Sequence, residues 1–150
     1  MRPQSCKSKG RRFQQKVARS ILDAFGHLED DDVVSTSMGA NGEDVRLSPK
    51  ARTALPLSLE CKCVEKLNIW SCVTQAAANA PPDTTPCVVF SRNRSPTYAV
   101  LPWNTLLSLY VQIGQGGSVP PRLQELLAQL VEFVPSKSPE EMTVKEEAQA

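Results

Sequence analysis

Glu60 and Lys62 stand two residues apart in Pro56-Leu57-Ser58-Leu59-Glu60-Cys61-Lys62-Cys63, where Leu57, Leu59, Cys61 and Cys63 alternate with polar residues. A period of two marks a strand with one apolar and one polar face, so the carboxylate and the ammonium point the same way, roughly 6.6 Å apart at about 3.3 Å per residue. A core strand has little reason to present both charges on one side unless that side borders a cleft. Upstream, Gly42-Glu43-Asp44-Val45 is a turn signal that delivers an acid into the next extended segment. An acid followed by Glu-x-Lys on the following strand is a metal-nuclease arrangement. Phosphodiester cleavage needs a nucleophile at neutral pH and relief of the charge that builds on the scissile phosphate, and a divalent cation supplies both. Asp44 and Glu60 offer hard oxygens suited to Mg2+ at about 2.1 Å, and Lys62 would neutralise developing charge.

These residues also carry a likeness. Asp44, Glu60-Cys61-Lys62, the Leu47-Ser48-Pro49-Lys50-Ala51-Arg52 segment between them, and Glu65-Lys66-Leu67-Asn68-Ile69-Trp70 leading to Gln75 resemble the PD-(D/E)xK nucleases, in particular small phage enzymes of the Holliday-junction-resolvase type. The resemblance covers roughly Arg11 to Leu107. It implies an α/β fold with a restriction-endonuclease-like core: a central mixed sheet of four to five strands flanked by helices. It further implies an endonuclease acting on branched DNA, with Asp44, Glu60, Lys62 and Gln75 as catalytic residues. Asp44, Glu60 and the backbone carbonyl of Cys61 would hold Mg2+, for which Mn2+ could substitute. Paired incisions at a four-way junction imply a homodimer. The chain departs from the family at the first helix, where many members place a metal-site Glu and this sequence has Gln14 and Gln15. A catalytically inactive nuclease-fold protein, DNA-binding or virion-associated, is therefore the alternative. Glu43 and Glu65 are neighbouring acids that could substitute as ligands.

The elements that must position this chemistry follow from the apolar pattern. Phe13, Val17, Ile21, Phe25 and Leu28 recur at helical spacing from Arg11, predicting a helix ending near Gly26 whose other face carries Arg12, Gln15, Lys16 and Arg19. Val33 to Met38 and Asp44 to Ser48 read as strands, Pro49 to Ala54 as a connection, and the Glu60/Lys62 strand as the third member of a meander. Leu67, Trp70, Val73 and Ala77 predict a helix over 66–80 with Trp70 as a core anchor. Strands are expected at 85–90 and 97–101, then a helix over 103–112 with Leu106, Leu107 and Tyr110 inward. A last helix from Pro120 carries Leu123, Leu126, Leu127, Leu130, Val131 and Val134, which would close the core or contact a second subunit. The predicted organisation is thus a flexible basic arm at 1–10, one nuclease-like domain at 11–134 and a disordered acidic tail at 135–150.

A net charge of +1 conceals segregation: residues 1–22 hold seven Lys or Arg and no acid, and residues 23–32 hold five acids and no Lys or Arg. Between Asp44 and Arg122 there are eight basic residues against four acids, two of them the proposed ligands. That balance points to a nucleic-acid partner. Arg12, Lys16, Arg19, Lys50, Arg52, Arg92, Asn93 and Arg94 are the candidate phosphate contacts, the last three in a polar hairpin turn.

Five cysteines, an odd number, with no apolar run in residues 1–10, fit a reduced cytoplasmic compartment, the host cytoplasm if the chain is phage-encoded. Nothing reads as a membrane span. Cys61 and Cys63 alternate along a strand rather than pairing on a turn, which argues against zinc. His27, the single histidine, has no evident partner for acid–base work.

Overall fold

Helix α1, Pro3–Ala24, opens the computed structural model, which describes residues 3–116 apart from Met38 and Ala40. Phe13, Val17, Ala18 and Ile21 form its buried stripe, while Arg12, Lys16 and Arg19 stay exposed. The helix begins well before Arg11, so most of the segment expected to be a flexible arm belongs to it. Pro3 suits a helix start because its fixed φ is already helical and its missing N–H would have had no partner there.

The acidic run Glu29 to Asp32 turns as a short 3-10 segment over Asp30–Asp32 and leads into β1, Val33–Ser35. Asp32 holds this corner together. It accepts hydrogen bonds from the Glu29 N–H at 2.9 Å and the Ser48 hydroxyl at 2.6 Å, with Lys50 Nζ at 3.3 Å. The Glu29 amide and the Ser48 hydroxyl hold the Asp32 carboxyl below its ordinary pKa. Strand β2, Val45–Leu47, is followed by a real helix, α2, Pro49–Ala54, where the sequence suggested only a connection. Ser48 caps it by accepting from the Ala51 N–H at 3.1 Å, and Pro49 follows in the first turn.

Ser48→Ala should therefore destabilise the protein at neutral pH by about 1 kcal/mol, the usual worth of a lost cap. Because Asp32 titrates below its unfolded value, its share of the stability exists above that value and disappears as pH falls through the folded one. The gap between variant and parent should accordingly narrow in urea titrations taken down into the acid range. A gap that is absent at pH 7, or constant with pH, would refute this role of Ser48.

Strand β3, Leu57–Cys63, is central in a sheet of order β1-β2-β3-β4-β5, completed by β4, Thr85–Ser91, and β5, Tyr98–Val100. The first three strands form an antiparallel meander, β3 and β4 run parallel from Leu57↔Thr85 to Cys63↔Ser91, and β5 returns antiparallel. The chain is thus α/β with a five-stranded mixed sheet flanked by helices. A parallel pair needs a crossover, which α3, Ile69–Asn79, provides. Helix α1 covers one sheet face with Leu59, Cys61 and Cys87; α3 covers the other with Val88, Phe90 and Val100. Consequently Ser58, Leu59, Glu60 and Cys61 are all buried, and the polar face expected to be open is roofed by α3.

Two helical expectations fail in an instructive way. Trp70, expected in the core, is 79% exposed; Cys72 and Ala76 face the sheet instead. Helix α4, Trp103–Gly114, has the expected position, but Leu107 and Tyr110 are exposed and none of its residues is buried. Periodicity identifies residues that share a face, not which face finds a partner. The expected helix from Pro120 and the tail from Pro135 lie outside the described residues. Among the described residues, no helix is long and apolar enough to cross a membrane.

Candidate functional site

Strand β2 ends before β3 does, and this mismatch creates the site. Val45 is paired with Leu59, and the Asp44 N–H still reaches the Leu59 carbonyl at 2.9 Å. The next β3 amide on that edge, Cys61 N–H, has outrun β2 and donates instead to Asp44 Oδ2 at 2.7 Å. The carboxylate thus takes the place of a missing ladder carbonyl. In an extended strand the N–H and C=O of one residue leave the same edge, so the Cys61 carbonyl also faces the Asp44 side.

Glu60 is 2% exposed. Its Oε1 accepts from Lys62 Nζ at 2.6 Å and its Oε2 from Asn79 Nδ2 at 3.3 Å. Lys62 also donates to Gln75 Oε1 at 3.0 Å. Gln75 and Asn79 are four residues apart, on one flank of α3, so a single helix edge steadies both members of the ion pair. Asn79 is a site residue that the sequence reading missed; its spacing from Gln75 was the available signal.

From the opposite side, buried Gln14 on α1 donates Nε2 to Asp44 Oδ1 at 2.7 Å. Its Oε1 is buried with no hydrogen-bond partner. Asp44, Glu60, Cys61, Lys62, Gln75, Asn79 and Gln14 all line one cavity of about 590 Å3. Burial, with the charge of nearby Glu60 adding to it, raises the Asp44 pKa against the hydrogen bonds from Cys61 and Gln14. Burial alone would lower the Lys62 pKa, but the hydrogen bond and charge of Glu60, aided by Asp44, raise it overall, so the ammonium persists.

Among the described residues, no three His, Cys, Asp or Glu side chains converge. The donor set is instead two carboxylates, the orphaned Gln14 Oε1 and the Cys61 carbonyl. It is all oxygen, and each carboxylate oxygen keeps a lone pair beyond the bond it already accepts. Such a set fits a hard cation such as Mg2+ or Mn2+, and two mutually repelling carboxylates beside an unpartnered oxygen are what a cation would relieve. The thiols offer little competition: burial raises Cys61, and raises Cys87 to about 11.

The expected phosphate contacts lie elsewhere; none of the eight lines this cavity. Arg12 and Lys16 are exposed on α1, and Arg19 pairs with Asp23 at 3.2 Å and Asp30 at 3.8 Å. Lys50 is held by Asp32. Arg52 is turned inward, onto Glu43 and the Leu57 carbonyl, so it braces the fold rather than offering a free guanidinium. That same pair engages Glu43, one of the substitute ligands. Arg92, Asn93 and Arg94 are exposed in the β4–β5 turn, where the Asn93 N–H donates to Glu65 at 3.2 Å. Glu65, the other substitute, also receives Lys9 at 3.3 Å on the cavity rim. No family model, curated protein or solved structure matches the chain.

Proposed function

We propose that this protein is a metal-dependent DNA endonuclease of the PD-(D/E)xK type, using Mg2+ or Mn2+ and acting on branched DNA. The observation that carries this reading is the meeting of Asp44, Glu60 and Lys62 in one cavity, with a raised Asp44 pKa that a cation would relieve. A divalent cation held by Asp44, Glu60, the Cys61 carbonyl and Gln14 Oε1 would supply a nucleophile at neutral pH and offset charge on the phosphate. Lys62 presents an ammonium to the same space, where it stabilises charge growing on the phosphate oxygens. Gln75 sets the reach of that ammonium, and Asn79 fixes the rotamer of Glu60.

The test is incubation of the full chain with labelled four-way junction, linear duplex and single strand, with Mg2+ and with EDTA. Metal-dependent nicking, greatest on the junction, is expected. Indifference to all three DNAs would refute the enzyme. Two coordinated cuts require two sites, so a homodimer belongs to the same proposal, and sedimentation equilibrium checks it. The charge-free, exposed apolar surface of α4 is compatible with such a contact.

A second reading is favoured by Gln14, which donates to Asp44 where an acid would have added a ligand charge. On this reading the protein binds DNA without cutting it. Salt-dependent binding in EDTA, unchanged by metal and unaccompanied by nicking, would decide for it.

A further inference from the structure

A second cavity, of about 520 Å3, adjoins the first and shares Asn41, Gly42 and Asn79 with it. Alternation along β2 places Arg46 on the same sheet face as Asp44, one side-chain repeat away, at roughly 6.6 Å along the strand. Helix α3 packs on β3 and β4, so this side of β1 and β2 is left to the cavity. Arg46 is exposed there, opposite Val34 in the ladder, and has no ion pair among the described residues. Ser37, exposed just past the end of β1, adds a hydroxyl donor to the same lining, whereas Ser35 is paired with buried Val45 and shares its face of the sheet. Glu43 is the one acid in it, and Arg52 already neutralises that charge. The result is an open recess with an uncommitted guanidinium, a serine hydroxyl and no uncompensated negative charge.

We infer that Arg46 and Ser37 form a phosphate-binding subsite for the DNA strand that is cut at Asp44 and Glu60; this rests on the nuclease reading above. A guanidinium fork matches phosphate oxygens in paired, charge-assisted hydrogen bonds, and serine hydroxyls complete such contacts without reading sequence. The subsite fixes where the strand lies relative to the carboxylates. It is also the kind of contact that composition hides, since Arg46 is an isolated basic residue within a short strand.

The experiment follows fluorescence anisotropy of a labelled junction across a salt series in EDTA, for the parent, Arg46→Gln and Ser37→Ala. Nicking in Mg2+ is measured in parallel, and thermal melting confirms the fold of each variant. Arg46→Gln should weaken binding about tenfold or more and flatten the log-log salt slope by about one, because one fewer phosphate is neutralised. Ser37→Ala should lose affinity with its slope unchanged, because a hydroxyl displaces no counterions. An unaltered slope in Arg46→Gln, with the parent binding and nicking, overturns the subsite and leaves the nuclease standing. A flattened slope with no nicking in the parent keeps Arg46 as a phosphate contact but removes the enzyme, and with it the placing of a strand for cutting. A parent that neither binds nor nicks removes both.

Discussion

Asp44→Asn should abolish metal-dependent nicking while leaving the metal-free protein folded and, at neutral pH, melting above the parent. The loss should reach about a thousandfold, since a ligand to a catalytic cation is worth several kcal/mol in the transition state and each 1.36 kcal/mol is tenfold. The stability change runs the other way. Because burial, with Glu60 adding to it, raises the Asp44 pKa above its unfolded value, the native state holds that proton more tightly. The parent therefore loses stability as pH rises through the window above the ordinary carboxylate value, and Asn carries no such penalty. Asparagine also fits the hydrogen bonds on offer. Its oxygen can accept from the Cys61 N–H, and its amide can donate to Gln14 Oε1 once the Gln14 amide turns over. Millimolar Mn2+ should raise the melting temperature of the parent and not of the variant, as binding to the native state alone requires. Calorimetry with and without Mn2+, alongside the nicking assay, checks this. A variant that still nicks, or a parent whose melting ignores the metal, would remove Asp44 from any metal site.

Phe13→Ala should destabilise by about 3–5 kcal/mol, whereas Trp70→Ala should stay within about 0.5 kcal/mol of the parent. Phe13 is 6% exposed and sits in the cluster that joins α1 to Val33, Val45, Leu47 and Leu59, so truncation opens a cavity that the sheet cannot close. Trp70 is the larger side chain, but it is 79% exposed, at the rim of a recess it shares with Val73, Val88 and Trp103. Against a typical total of about 5–15 kcal/mol, the first change consumes a large share of the stability. Urea midpoints for the two variants decide the matter, and equal losses would mean that Trp70 is buried after all.

Much of the site was legible because its logic is local. The alternation around Glu60 and Lys62 sets their common side, the glycines before Asp44 mark the turn that delivers it, and the apolar repeat from Phe13 to Ile21 defines the face of α1 that packs on the sheet. What escaped was long-range pairing. Arg52 looked like a free cation until Glu43, nine positions earlier, was brought against it, and Lys50 was likewise engaged by Asp32. Gln14 looked like a missing acid; folding made it the hydrogen-bond donor to Asp44.

Side-chain type and periodicity thus determined which groups share a face, since backbone geometry repeats every two or 3.6 residues whatever the rest of the chain does. Tertiary structure decided which faces are covered and which charges are spent. Glu60 became buried because α3 crosses over β3, Trp70 remained outside because Cys72 and Ala76 face the sheet, and Asp44 met the Cys61 amide because β3 outruns β2. Those outcomes depend on how elements distant in sequence meet in space, and no local pattern encodes them.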